Sequence, residues 1–112
     1  MLARANRVVL PADFRATVRR GRRTTTSSAV YYRLATDPGA PLRVGVIVSK
    51  AVGSAVERNR VRRRLKALGR SFVDAGRAGE DVVIRVLPGD AQRSWDSLSA
   101  DMHAVLSPST TD

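Results

Sequence analysis

The 112-residue chain has no cysteine and a single histidine. Without cysteine it can form no disulfide, no thiolate zinc site and no cysteine nucleophile. His103 by itself supplies neither a histidine metal site nor a catalytic triad, and it reads as a surface or boundary residue of a helix. Aromatic residues are scarce, at two Phe, two Tyr and one Trp. No apolar run approaches the roughly 18–20 residues that cross a bilayer. The basic stretch from Met1 to Arg7 leads into no signal-peptide hydrophobic segment. The expectation is a cytoplasmic protein with no membrane partner. Carboxylates in a motif that would hold a nuclease metal are missing too, so no catalytic residue is expected in the protein itself. Lysine is nearly absent: Lys50 and Lys66 are the two, and every other basic side chain is arginine.

What the chain does have is positive charge, unevenly placed. The formal net charge is +10, from 20 Lys+Arg against 10 Asp+Glu. Residues 1–73 carry 17 of the basic and 3 of the acidic residues, and residues 74–112 carry 3 and 7. A basic body with an acidic C-terminal third points to one face built for polyanions. The densest run is Arg58 to Arg64, Arg-Asn-Arg-Val-Arg-Arg-Arg, and it fits an amphipathic helix. At about 100° per residue, Val61, Leu65, Leu68 and Phe72 form one narrow apolar stripe. Arg62, Lys66, Asn59, Arg70, Arg63 and Arg60 fan across the other side, and Arg58 and Arg64 flank the stripe. Guanidinium groups bind phosphate bidentately and stack on bases, so a nucleic-acid backbone is the partner such a face suits.

The remaining pattern suggests one small domain over residues 1–112, with residues 1–8 and 107–112 expected to be flexible. Leu10 to Arg20 reads as a helix, with Pro11 in its first turn, Leu10, Phe14 and Val18 on one apolar line, and Gly21 as the stop. Residues 22–36 read as extended. Alternation puts Val30, Tyr32 and Leu34 on one face and Ala29, Tyr31 and Arg33 on the other. Asp37-Pro38-Gly39 marks a turn. Leu42 to Ser49 is a continuous apolar run, expected as a central buried strand. Ser54 and Glu57 have the spacing of a capping box, which starts the basic helix at Ala55 and carries it to about Phe72. Asp81 to Leu87 reads as a strand. A last helix places Trp95, Leu98, Met102, Val105 and Leu106 toward the core. The sum is an α/β sandwich of about four strands and three helices, with the segment from Leu42 to Leu87 a strand–helix–strand crossover, right-handed by default.

Val44-Gly45-Val46-Ile47-Val48-Ser49-Lys50, followed by Gly53-Ser54-Ala55-Val56-Glu57-Arg58-Asn59-Arg60-Val61-Arg62-Arg63, closely resembles the signature of the bacterial ribonuclease P protein component. Asp13-Phe14 with Gly21, Tyr32 and Val82-Val83-Ile84 extend the resemblance over residues 5–106. It implies a two-layer sandwich with an unusual left-handed crossover through the basic helix. It also implies the small subunit of a ribonucleoprotein that removes the 5′ leader of precursor tRNA. In that particle the RNA subunit is the catalyst, magnesium is bound mainly by RNA, and the protein alone is a monomer. Its partners would be the catalytic RNA and precursor tRNA.

Carried onto this chain, the RNA-binding residues are Lys50, Arg58, Asn59, Arg60, Arg62, Arg63, Arg64 and Lys66. The 5′ leader would lie in a cleft formed by Phe14, Arg15, Val18 and Tyr32. Phe14 and Tyr32 would stack on bases. Val18 departs from the pattern, since many relatives place a second aromatic there, and Arg15, Arg19, Arg22 and Arg23 are candidates to compensate with phosphate contacts. The rival reading from charge and size is a small ribosomal or other structured-RNA-binding protein without a processing role. A DNA-binding helix-turn-helix is disfavoured because a Gly-rich loop and a strand follow the basic helix.

Overall fold

The computed structural model describes residues 2–89 and 93–106. The elements run α1 (Pro11–Arg20), β1 (Arg22–Thr25), β2 (Ala29–Ala35), β3 (Arg43–Ile47), α2 (Ala55–Asp74), β4 (Glu80–Val86) and α3 (Trp95–Leu106), with short 3-10 turns at Arg4–Asn6 and Lys50–Val52. The β1–β2 hairpin closes around Thr26, whose Oγ1 accepts the Ala29 N–H at 3.1 Å and the Ser28 N–H at 3.3 Å. The four strands form one mixed sheet in the order β1-β2-β4-β3. β1–β2 and β2–β4 are antiparallel, while β3 and β4 are parallel and joined through α2.

Period-two alternation sorts the sheet into two faces, as expected. Ala29, Tyr31, Val44, Val82, Ile84 and Val86 face α2 and α3. There they form the main core with Val61, Leu65, Leu68, Phe72, Leu98, Met102, Val105 and Leu106. Val30, Tyr32 and Val83 face the other way and pack with Phe14 of α1, Ile47 and Leu87. The fold is thus the expected α/β sandwich of three helices and four strands. α2 and α3 form its full helical layer, and α1 crosses the opposite face and covers only part of it.

Two expectations are corrected. β3 is an edge strand, not a central one. Its apolar run arises because both of its faces are covered. On one side Gly69 of α2 lets the helix backbone come close to Val44, where a Cβ would stand 3.1 Å from Cγ2; on the other, Phe14 lies against Gly45. Covering both faces of an edge strand leaves the same sequence pattern as a central position. Second, Trp95 is 45% exposed, because it opens α3 and the core seam is taken by Leu98, Met102, Val105 and Leu106. Along α1, only Phe14 of the apolar line packs against the sheet. Leu10 is 60% and Val18 38% exposed, and the fully buried residue of α1 is Thr17, whose hydroxyl donates to the Asp13 carbonyl. Within the N-terminal lead, Leu2 and Val8 are buried and the Val8 N–H donates to the Val44 carbonyl at 3.1 Å, partly covering the β3 edge. The polar tail 107–112 lies outside the described residues.

Candidate nucleic-acid interface

The basic helix is set by its first turn. Ser54 Oγ accepts the Glu57 N–H at 3.2 Å, and Glu57 Oε1 accepts the Ser54 N–H at 3.3 Å, a complete capping box. This fixes where α2 begins and so which side turns inward. Val61, Leu65, Leu68 and Phe72 are buried as the stripe requires. Asn59, Arg60 and Arg63 are exposed, and Arg58, Arg62, Arg64 and Lys66 lie half-buried beside them. Lys50 is exposed in the 3-10 turn that precedes the helix and is anchored by buried Val52. All eight predicted RNA-binding residues therefore lie on α2 or at its approach.

Their partners are neutral. Arg62 Nη1 donates to Asn59 Oδ1 at 2.8 Å, and Arg64 Nη1 donates to the Arg93 carbonyl at 2.8 Å. Of the ion pairs among the described residues, Arg33 and Arg77 with Glu80 and Arg43 with Asp13 and Asp81 lie off the helix, and Arg70 with Asp74 lies at its far end. Glu57 is occupied in the cap. The cationic face is consequently without acidic compensation. The Lys66 ammonium is pushed below its ordinary range, first by burial and then by repulsion from Arg62 and Arg7. Arg7 belongs to this face although it was not singled out from the sequence. Only its membership of the basic N-terminal stretch hinted at a role.

The partly covered face of the sheet carries the second predicted site. Strand register places Arg23, Tyr32, Val83 and Gly45 in one row, and Thr25, Val30, Arg85 and Ile47 in the next. Partners in register project to the same side. α1 lies over this surface, and Phe14, Arg15, Val18, Arg19 and Ile47 line a cavity of about 460 Å³. Phe14, Arg15 and Val18 are thus brought together as predicted. Tyr32 lies beneath. It is 6% exposed, packed with Val30 and Val83, and the Arg85 guanidinium stands 6.0 Å from its ring centroid. The surface offered above Tyr32 is therefore Arg85, which is exposed on a central strand. A signal for it was present. Alternation puts Val83, Arg85 and Leu87 on one face, and an arginine between two apolar neighbours on a buried strand needs an outlet.

Arg43 positions α1 over this surface. It donates to Asp81 of β4 through Nε at 2.9 Å and Nη2 at 2.7 Å, and to Asp13 of α1 through Nη1 at 3.3 Å. The hydrogen bonds to Asp81 raise its already high pKa further. Asp13 and Asp81 are thereby committed to a guanidinium. Among the described residues no three His, Asp or Glu side chains converge as a metal-holding cluster, and no helix is long and apolar enough to cross a membrane.

Comparisons with known proteins follow the same lines. The family model for ribonuclease P matches residues 2–109. The chain is 52% identical over 106 residues to the ribonuclease P protein component of Clavibacter michiganensis subsp. michiganensis, covering 95% of this chain and 94% of that one. It is 48% identical over 106 residues to the protein of the same description from Mycobacterium tuberculosis, covering 95% and 90%. Among solved structures it resembles the ribonuclease P protein of Staphylococcus aureus, with TM-score 0.80, 21% identity and coverage of 92% and 94%. It also resembles that of Thermotoga maritima, with TM-score 0.71, 19% identity and coverage of 89% and 94%. At those identities the structural likeness speaks for the fold.

Proposed function

The chain belongs to the ribonuclease P protein family, and on that premise we propose how its two surfaces divide the work of maturing the 5′ end of tRNA. The α2 face docks on the RNA subunit, and the cavity under α1 holds the single-stranded leader of precursor tRNA. The observation that carries this reading is the charge at the approach and first turns of α2, which no ion pair among the described residues compensates. Lys50, Arg58, Arg60, Arg62, Arg63, Arg64 and Lys66 stand together with no carboxylate among their described partners. An isolated domain gains nothing from crowding like charges, whereas an RNA backbone neutralises them and releases counterions.

In the cleft, Phe14 offers a ring edge and Arg15, Arg19 and Arg85 offer cations, a combination that grips single strands with little regard to sequence. Tyr32 acts from below by holding the Arg85 guanidinium over its ring. Val18 fills the wall where a second ring would stack. The RNA subunit performs the hydrolysis, and the protein supplies charge neutralisation and leader positioning. Magnesium enters with the RNA. The described residues do not fit a site of the protein's own, since Asp13 and Asp81 are both held by Arg43 and no three His, Asp or Glu side chains among them converge. The protein acts as a monomer before it meets RNA.

Reconstitution tests the proposal. Protein freed of RNA leaves labelled precursor tRNA intact, and protein plus RNA subunit cleaves it at lower magnesium than RNA alone. Cleavage by RNA-free protein would overturn the division of labour.

A further inference from the structure

Between the anchored N-terminal segment and α2 lies a groove of about 490 Å³ lined by Leu2, Arg7, Asn59, Arg62, Arg63, Lys66 and Ala67. Its make-up differs from that of an open charged surface. The floor is apolar, formed by Leu2, which is 4% exposed, and the half-buried Ala67. The rim holds four cations and one amide. No acid lines it. Arg62 is fixed across the rim by Asn59 Oδ1 at 2.8 Å, which leaves the Asn59 Nδ2 group, a donor, turned to no described partner. Arg7 brings a buried Nε that also has no hydrogen-bond partner. A flat phosphate-binding surface needs neither a hydrophobic floor nor an amide.

We propose that this groove takes a single unstacked nucleotide of the RNA subunit, with its base on Leu2 and Ala67 and its flanking phosphates on Arg7, Arg62, Arg63 and Lys66. The inference rests on the reading that α2 docks on that RNA, and it adds a site at which the docking is local and base-dependent. The chemistry follows from the parts. A nucleobase has an apolar face for the floor and a polar edge for the Asn59 amide. Its phosphodiester neutralises the half-buried Arg7 and Lys66 cations, whose mutual repulsion in the free protein is otherwise unrelieved. The volume exceeds that of one base, leaving space for the sugar and the adjacent phosphate. A nucleotide of precursor tRNA shares this chemistry, and the test separates the two sources.

The test fills the floor without touching charge. Ala67→Phe, and the smaller Ala67→Leu as a helix-compatible control on folding, occupy the groove and leave every arginine in place. The holoenzyme is assembled from full-length protein and RNA subunit, and affinity is measured against salt, with and without precursor tRNA. Base-specific chemical probing of both RNAs accompanies the titration. Assembly is expected to weaken by roughly fivefold to a hundredfold, the range of one base stack. The log–log salt slope should stay unchanged because no phosphate contact is lost. One unpaired base of the RNA subunit, protected by the native protein, should become reactive in the variant complex. Unchanged affinity and protection in both folded variants would overturn the groove. So would a lost protection on precursor tRNA in place of the RNA subunit. Failure of the underlying docking reading looks different, because neutralising Arg60 and Arg63 would then also leave assembly and its salt slope untouched.

Discussion

Gly45→Ala is the sharpest probe of how the leader cleft is built. A methyl group at residue 45 would stand 2.6 Å from Phe14 Cε1, 2.8 Å from Phe14 Cζ and 3.0 Å from Val8 Cβ. Ordinary carbon contacts need about 3.5–4.0 Å, so the Phe14 ring must retreat by roughly 1 Å. Retreat is obstructed. α1 is tethered to the sheet through Asp13 and Arg43, and Val8 is held to β3 by a backbone hydrogen bond. Overpacking of this kind costs about 1–3 kcal/mol, offset by about 0.5–1 kcal/mol from the lower chain entropy of alanine. The net loss is then up to roughly 2.5 kcal/mol. At about 4 °C per kcal/mol for a domain of this size, melting should fall by as much as roughly 10 °C. The ring is the obstacle, so Phe14→Leu should make room. A double-mutant cycle by calorimetry should therefore show Gly45→Ala nearly harmless in the Phe14→Leu background, with a coupling of about 1–2 kcal/mol. In the holoenzyme, Gly45→Ala should weaken binding of precursor tRNA and spare mature tRNA if the displaced ring lines the path proposed for the leader. Gly45→Ala as stable as the native protein, or equally costly with and without the ring, would refute the argument.

Other outcomes follow from the same geometry. Neutralising Arg60 and Arg63 to Gln should leave the circular dichroism spectrum native, since both are exposed. The salt slope of assembly should fall by roughly 0.7–0.9 per lost phosphate contact. Arg85→Met should weaken precursor binding while leaving mature tRNA binding intact. Tyr32→Ala should chiefly lower the melting temperature, because its ring is 6% exposed and packed among Val30 and Val83. Lys66 gives a pH signature. Its pKa is lowered in the free protein by burial, Arg62 and Arg7, and a phosphate beside it restores the charged form, so assembly takes up a proton. Affinity should fall as pH rises through the lowered value toward the ordinary lysine range, and Lys66→Arg, which stays charged, should flatten that decline. Arg43→Met would strand Asp81, whose side chain is 7% exposed. Urea unfolding should report a loss of about 1–3 kcal/mol, as when a buried acceptor is left without its donor.

Local signals in the sequence were faithful where they were redundant. α2 combines a capping box, a four-residue apolar stripe and charges on the remaining side, and each feature names the same helix and the same inward face. Tyr31 and Tyr32 separate onto opposite faces because alternation in a strand leaves no other choice. What the sequence concealed is set by tertiary neighbours. The Val44–Val48 run reads as central but sits at the edge, because helix α2 and Phe14 bury its two sides. Trp95 has the right period for the core yet opens its helix beyond the seam. Phe14 and Val18 share one period, yet Phe14 packs on the smaller core cluster while both also line a cavity, and periodicity alone does not distinguish those surroundings. Tyr32 and Arg85 lie more than fifty residues apart in sequence, and only the β2–β4 register brings the cation over the ring.

The crowding of cations along the first turns of α2, from Arg58 to Lys66, also bears on the lone protein. Crowded like charges strain a folded chain, and dissolved ions relieve that strain within a Debye length of about 8 Å at physiological ionic strength. Added salt should thus raise the melting temperature of the isolated subunit while it dissociates the particle, so one reagent acts with opposite sign on two equilibria. The same asymmetry operates during biosynthesis. A copy that has not met RNA lacks the ligand that favours its folded state. It opens more often and is exposed sooner to proteolysis. Turnover of surplus subunits would then track the supply of RNA, a stoichiometric control written into the surface charge.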